Sequence, residues 1–165
     1  MNRIEPLTQE AFRPFGDVIE ANEALENFDI NYGYTRRFHN LADINVDAEF
    51  GKPIVSLFRS NPLPAPIKIE RLERHPLSSQ AFMPLGASPY LVVVAPAGEL
   101  VEANIRVFLA QPGQGVNYFA GTWHHFCLAL QADSLFLVID RAGPGSNCDE
   151  LLLDTPFTLD ISGLV

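Results

Sequence analysis

The feature that most constrains this chain is its punctuation. Thirteen prolines and eleven glycines are spread along the whole length and break the apolar residues into short runs. Runs this short do not supply the turns of long amphipathic helices, but they suit strands. The pieces 53–58, 91–95 and 135–139 are apolar almost throughout, as in strands covered on both faces. Between them, Val101, Ala103, Ile105, Val107 and Leu109 alternate with Glu102, Asn104, Arg106, Phe108 and Ala110, which predicts a half-buried strand. Pro112-Gly113-Gln114-Gly115 and Gly143-Pro144-Gly145 read as turns. Only the start is helical: Thr8 caps a short turn through Gln9-Glu10-Ala11-Phe12, which Pro14 and Gly16 end. Roughly ten short strands with this spacing predict an all-β fold, a jelly roll or barrel with a short N-terminal helix.

No shift in composition marks a boundary, and 165 residues fit a single domain over 1–165, large enough to bury roughly 70% of its unfolded surface. The net charge of −9, with no run of Lys or Arg, argues against nucleic-acid partners and anionic membranes. An anionic ligand would then be held locally by particular arginines, for which Arg59 and Arg141 are the candidates. The N-terminus lacks the apolar core of a signal peptide, and the longest strongly apolar run, 90–95, is too short to span a bilayer. Cys127 and Cys148 form no disulfide framework; Cys127, between Phe126 and Leu128, reads as a small buried hydrophobe. A reducing cytoplasm is the expected location.

Two stretches carry the chemistry: Glu73-Arg74-His75-Pro76-Leu77-Ser78-Ser79-Gln80 and Gly115-Val116-Asn117-Tyr118-Phe119-Ala120-Gly121-Thr122-Trp123-His124-His125. In a strand, residues two apart share a face. Ile67, Ile69, Arg71, Glu73 and His75 therefore line up, and the apolar start of that set points it inward. By the same parity His124 goes with Phe126, Leu128 and Leu130, whereas His125 goes with Trp123, Cys127 and Ala129. The bulkier companions favour His124 as the inward ring. Two inward histidines and a carboxylate are the material of a metal site or an acid/base site. Taken singly, each also has a plain reading: a turn residue before proline, or one packed and one solvated ring.

The first stretch resembles the first cupin motif, His-x-His-Pro-x3-Glu, with Glu73 in the first His place, His75-Pro76 in the second and Gln80 where the Glu stands. Gly86 falls within one residue of the glycine that follows in that motif. The second stretch resembles the second motif through Gly115, Gly121 and His124, with Phe119 in the place of its proline. A closer likeness covers nearly the whole chain. It runs through Phe15-Gly16-Asp17-Val18-Ile19-Glu20, the two stretches, Phe136-Leu137-Val138-Ile139-Asp140-Arg141 and Asn147-Cys148-Asp149. This combination is similar to the ureidoglycolate lyase family.

That resemblance implies a cupin-like jelly-roll β-barrel, a homodimer, and cleavage of ureidoglycolate into glyoxylate and urea during allantoin breakdown. It also implies a ligand set of Glu73, His75, Gln80 and His124 for a divalent, nickel-type metal, and no organic cofactor. A metal-free version uses the same residues differently: His75 or His124 as general base and Glu73 orienting the ring. Arg59 and Arg141 would clamp the substrate carboxylate; otherwise Arg141 pairs with Asp140 or Asp149, and Arg59 reaches solvent at a strand end. Tyr118 would donate to a developing oxyanion or pack at the barrel mouth, and Trp123 reads as a wall. Two further functions remain open, a non-catalytic module that binds a small carboxylic acid and an amidohydrolase releasing ammonia.

Overall fold

The computed structural model describes residues 3–164; Met1, Asn2 and Val165, the ends of the domain expected over 1–165, lie outside them. Helix α1 (Gln9–Phe12) starts where the sequence places it. The Thr8 side chain accepts from the Ala11 backbone N–H, satisfying an otherwise orphan donor, and Phe12 is fully buried.

The strands among the described residues are β1 (Ile4–Pro6), β2 (Gly16–Ile19), β3 (Asn27–Ile30), β4 (Thr35–Phe38), β5 (Lys52–Ser60), β6 (Ile67–Arg74) and β7 (Gln80–Pro84). They continue with β8 (Tyr90–Ala95), β9 (Arg106–Ala110), β10 (Gly115–Tyr118), β11 (Trp123–His124), β12 (Leu128–Ala129), β13 (Ser134–Ala142) and β14 (Asp149–Leu159). One sheet runs β1-β9-β8-β11-β6-β14, with β12 also against β8; the other runs β2-β10-β7-β13-β5. Only β1 and β9 pair in parallel among these strands. Strands β3 and β4 form a separate two-stranded arm.

The two large sheets face one another across a single apolar layer. Phe82, Val116, Tyr118, Phe136 and Val138 from one meet Tyr90, Val92, Val94 and Phe108 from the other, with Phe12 and Phe15 closing one side. Because strand side chains alternate, Leu91 and Val93 point the opposite way, into a second cluster with Val107, Trp123, Ile67 and Ile69. Strand β8 is therefore buried on both faces, as its unbroken apolar run predicts. Two curled, mainly antiparallel sheets packed face to face are the jelly-roll barrel expected from the sequence. Truncating a ring of the shared layer, such as Phe108, would cost about 3–5 kcal/mol. Among the described residues, no helix is long and apolar enough to cross a membrane.

Three expectations are corrected. The strand expected over 101–110 begins only at Arg106, because Glu102–Asn104 form a 3₁₀ turn, and Val107 and Phe108 bury opposite faces. The run 53–58 is a strand but not a covered one. As β5 it is the sheet edge, and Val55 and Leu57 are 66% and 60% exposed. Period two also fails along β6: Ile67, Ile69 and Leu72 all join the outer cluster, whereas Arg71 is exposed and pairs with Glu150 at 2.9 Å. The cause is a register shift against β14, where Leu152 faces Arg71 but Phe157 faces Ile69.

Candidate functional site

That register shift builds the site. Beyond it, Glu73 stands on the face opposite Leu72 and turns to the barrel interior, bridged to His124 of β11. The parity argument thus reaches the right face for Glu73 and His75 by the wrong companions. The same holds for His124. Strand pairing breaks between β11 and β12, so Leu128 and Leu130 lie in the outer cluster while His124 stacks on Tyr118 at 4.2 Å with planes 1° apart. Gly121 ties the two stretches together: its N–H donates to the His75 carbonyl at 2.8 Å. Its φ of +79° is a conformation that favours glycine.

The result is a tight group. Glu73 Oε1 lies 3.9 Å from His75 Nε2 and 3.9 Å from His124 Nδ1, and the two rings are 5.1 Å apart. One donor atom from each of the three side chains falls within 4.8 Å of the others. His124 Nδ1 donates to the His125 carbonyl at 3.1 Å, leaving the lone pair on Nε2, a buried atom with no hydrogen-bond partner. Burial, followed by the neighbouring His75, pushes the His124 pKa down to about 3, so this ring stays neutral. Burial raises the Glu73 carboxyl above its ordinary value, opposed by His75.

His75 is held at both nitrogens. Nδ1 donates to the Asn147 carbonyl at 2.7 Å, and Nε2 meets Gln80 Oε1 at 3.1 Å. The Gln80 amide in turn donates to Asp140 Oδ2 at 3.3 Å, which sets its oxygen toward the ring. Asn147 also receives the Leu77 N–H at 2.7 Å and donates to Ser78 Oγ at 2.8 Å, so it fixes the turn that carries His75. Beside this group opens a cavity of about 350 Å³ lined by His75, Gln80, Asp140, Arg141, Asn147 and Cys148, among others. Burial, then Glu73 and Glu150, raise the Cys148 thiol above its usual value, keeping it protonated.

The arginines separate. Arg141 lines the cavity, but it pairs with neither Asp140 nor Asp149; Nε and Nη2 donate to the carbonyls of Ala48, Glu49 and Pro144. Asp149 is taken by Arg74, at 2.8 Å. Arg59 sits opposite Leu135, six strand positions from Arg141 on β13, or about 20 Å along the strand. There it lies 3.7 Å from Asp133, both exposed, so one chain does not bring it to the cavity. Tyr118 is in the shared core, where burial raises its hydroxyl well above the ordinary value. Trp123 is a wall of the outer cluster, with the Arg74 guanidinium 4.6 Å from its ring. Asp140 and Asn147 also line the cavity; alternation and motif spacing do not single them out, and their one signal in the sequence is that both lie inside stretches that carry the family resemblance.

Comparison with known proteins gives one consistent result. A family model described as ureidoglycolate lyase matches residues 1–160. A ureidoglycolate lyase of Burkholderia cepacia is 54% identical over 159 residues, covering 96% of this chain and 89% of that protein. One from Pseudomonas syringae pv. syringae is 53% identical over 148 residues, covering 89% and 86%, and one from Azotobacter vinelandii is 54% identical over 148 residues, covering 89% of each. Among solved structures, RmlC from Streptococcus suis in complex with dTDP-D-xylose aligns with a TM-score of 0.43 and 11% identity. It covers 87% of this chain and 74% of that one, a likeness too slight to carry an argument.

Proposed function

The chain belongs to the ureidoglycolate lyase family, and from that premise we propose that the Glu73–His75–His124 group and its cavity are where ureidoglycolate is split into glyoxylate and urea. The observation that carries this is a two-histidine, one-carboxylate group beside a small polar cavity that Arg141 also lines. The substrate carries a carboxylate, a hydroxyl and a ureido nitrogen on one carbon. Releasing urea moves the hydroxyl proton off oxygen, forms the C=O bond, breaks the C–N bond and places a proton on the departing nitrogen.

His75 is the residue suited to move that proton. Its Nδ1 is committed to the Asn147 carbonyl, so Nε2 is the position that gains and loses hydrogen. Gln80 Oε1 and Glu73 Oε1 flank that nitrogen, at 3.1 and 3.9 Å. His124, neutral at working pH, serves as a lone-pair donor rather than a base. Arg141 Nη1 makes none of the bonds that occupy Nε and Nη2, and it is our candidate for the substrate carboxylate.

The same donors fit a divalent cation. A ring nitrogen of His124, the Glu73 carboxylate and a His75 ring oriented by a backbone carbonyl would form a mixed N/O ligand set, with Gln80 adjacent. When bound, such an ion would supply Lewis-acid polarisation of the substrate hydroxyl. Activity before and after chelation, with metal content measured on the same sample, decides between the two versions. Full turnover in metal-free protein leaves only the acid/base one.

We further propose that the protein acts as a homodimer. Val55 and Leu57 on the edge strand β5 sit across from Ile139 and Leu137, giving the five-stranded sheet an apolar outer face. Its two free thiols suit a reducing cytoplasm, where we place it in allantoin breakdown. Ammonia in place of urea among the products would move the assignment to an amidohydrolase.

A further inference from the structure

The Asp140 carboxylate is poorly satisfied for its position. It lines the cavity at the end of β13, and Oδ2 receives one long hydrogen bond, 3.3 Å from the Gln80 amide. Oδ1 is buried and has no hydrogen-bond partner. The neighbouring cation does not help, because Arg141 is turned toward the carbonyls of Ala48, Glu49 and Pro144. An ionised carboxylate has about four lone-pair sites and only accepts hydrogen bonds. A buried acceptor left without a donor is costly, by roughly 1–3 kcal/mol. Such a group marks a place where something outside the folded chain brings the donor.

We infer that Asp140 is a substrate-binding residue that accepts N–H hydrogen bonds from a ureido or urea group entering the cavity. The inference rests on the lyase reading for the identity of its ligand. A urea-type group presents N–H donors on two nitrogens, which suits a carboxylate, and carries no charge, so it needs no cation. Arg141, which also lines the cavity, offers its Nη1 hydrogens to a carboxylate. The cavity is thus lined by one acceptor-only and one donor-only side chain. That pairing matches a ligand that is donor-rich at one end and anionic at the other. The two products would separate along the same line, urea toward Asp140 and glyoxylate toward Arg141.

The test is product inhibition of the full-length enzyme by urea and by glyoxylate, compared with Asp140→Asn. The variant should need at least tenfold more urea for half-inhibition, while inhibition by glyoxylate stays within twofold. Unchanged urea inhibition, or equal weakening toward both products, overturns the assignment. If the variant does not fold, the wild type is challenged with tetramethylurea, which lacks N–H groups. Competition as strong as that of urea overturns the assignment, and competition at least tenfold weaker supports it. If the wild type proves not to release urea, the lyase reading fails separately. Broadening of the ¹³C-urea resonance by wild type but not by Asp140→Asn then still decides for or against Asp140.

Discussion

His124 and His125 are adjacent and both buried, yet they meet different neighbours. The Nδ1 of each is spent on a backbone carbonyl, but only His124 packs against Tyr118, His75 and Glu73. His124→Ala should therefore lower kcat/KM by roughly 100-fold or more. His125→Ala should lower Tm but keep most of the turnover; equal loss of turnover in both would refute the assignment. His124 also links stability to pH. Its value is depressed from 6.5 to about 3 by burial, so the unfolded chain binds the extra proton in that window. Its contribution is complete above pH 6.5 and is lost as pH falls toward 3. Glu73, whose carboxyl is raised, contributes with the opposite sign, favouring the folded state below its unfolded value of 4.5. Denaturant unfolding of metal-free protein between pH 7 and 5 should show a fall in stability that His124→Gln reduces.

Strands place these residues through their irregularities rather than their regular stretches. The register shift between β6 and β14 turns Glu73 away from Ile69, and the break between β11 and β12 turns His124 away from Leu128. The Gly121 turn joins the two pieces. A methyl group at Gly121 would meet only Ala97, at 3.6 Å, so Gly121→Ala would act through the backbone φ of +79°. It should cost about 1–3 kcal/mol, read from denaturant unfolding, and lower turnover by moving the His75 carbonyl. Alternation and punctuation made much of this visible: the Thr8 cap, the doubly buried β8 and the pairing of the two stretches. The shift and the break were not visible, because side-chain alternation has no marker for an inserted residue until the partner strand is known. The Glu102–Asn104 turn is not legible in the sequence either, its alternating residues being compatible with either conformation.

At the scale of the whole molecule, an apolar run shows that a strand wants cover but not who provides it. Residues 53–58 looked internal and instead form an exposed edge, with Val55 and Leu57 facing outward beside Leu137 and Ile139. Leu57→Glu should give a monomer by sedimentation equilibrium where the unaltered protein is a dimer; an unchanged dimer would place the interface elsewhere. Arg59, at the far end of that edge, belongs to this surface and not to the cavity. The central claim is that the group around His75 releases urea from ureidoglycolate. Its most direct test is simultaneous measurement of urea, glyoxylate and ammonia from ureidoglycolate, corrected for spontaneous decay, for the unaltered protein and for His75→Ala. The account predicts urea and glyoxylate in equal amounts without ammonia, and a rate reduced roughly 100-fold or more in the variant. Ammonia as the nitrogen product, or a His75→Ala protein as fast as the parent, would contradict it.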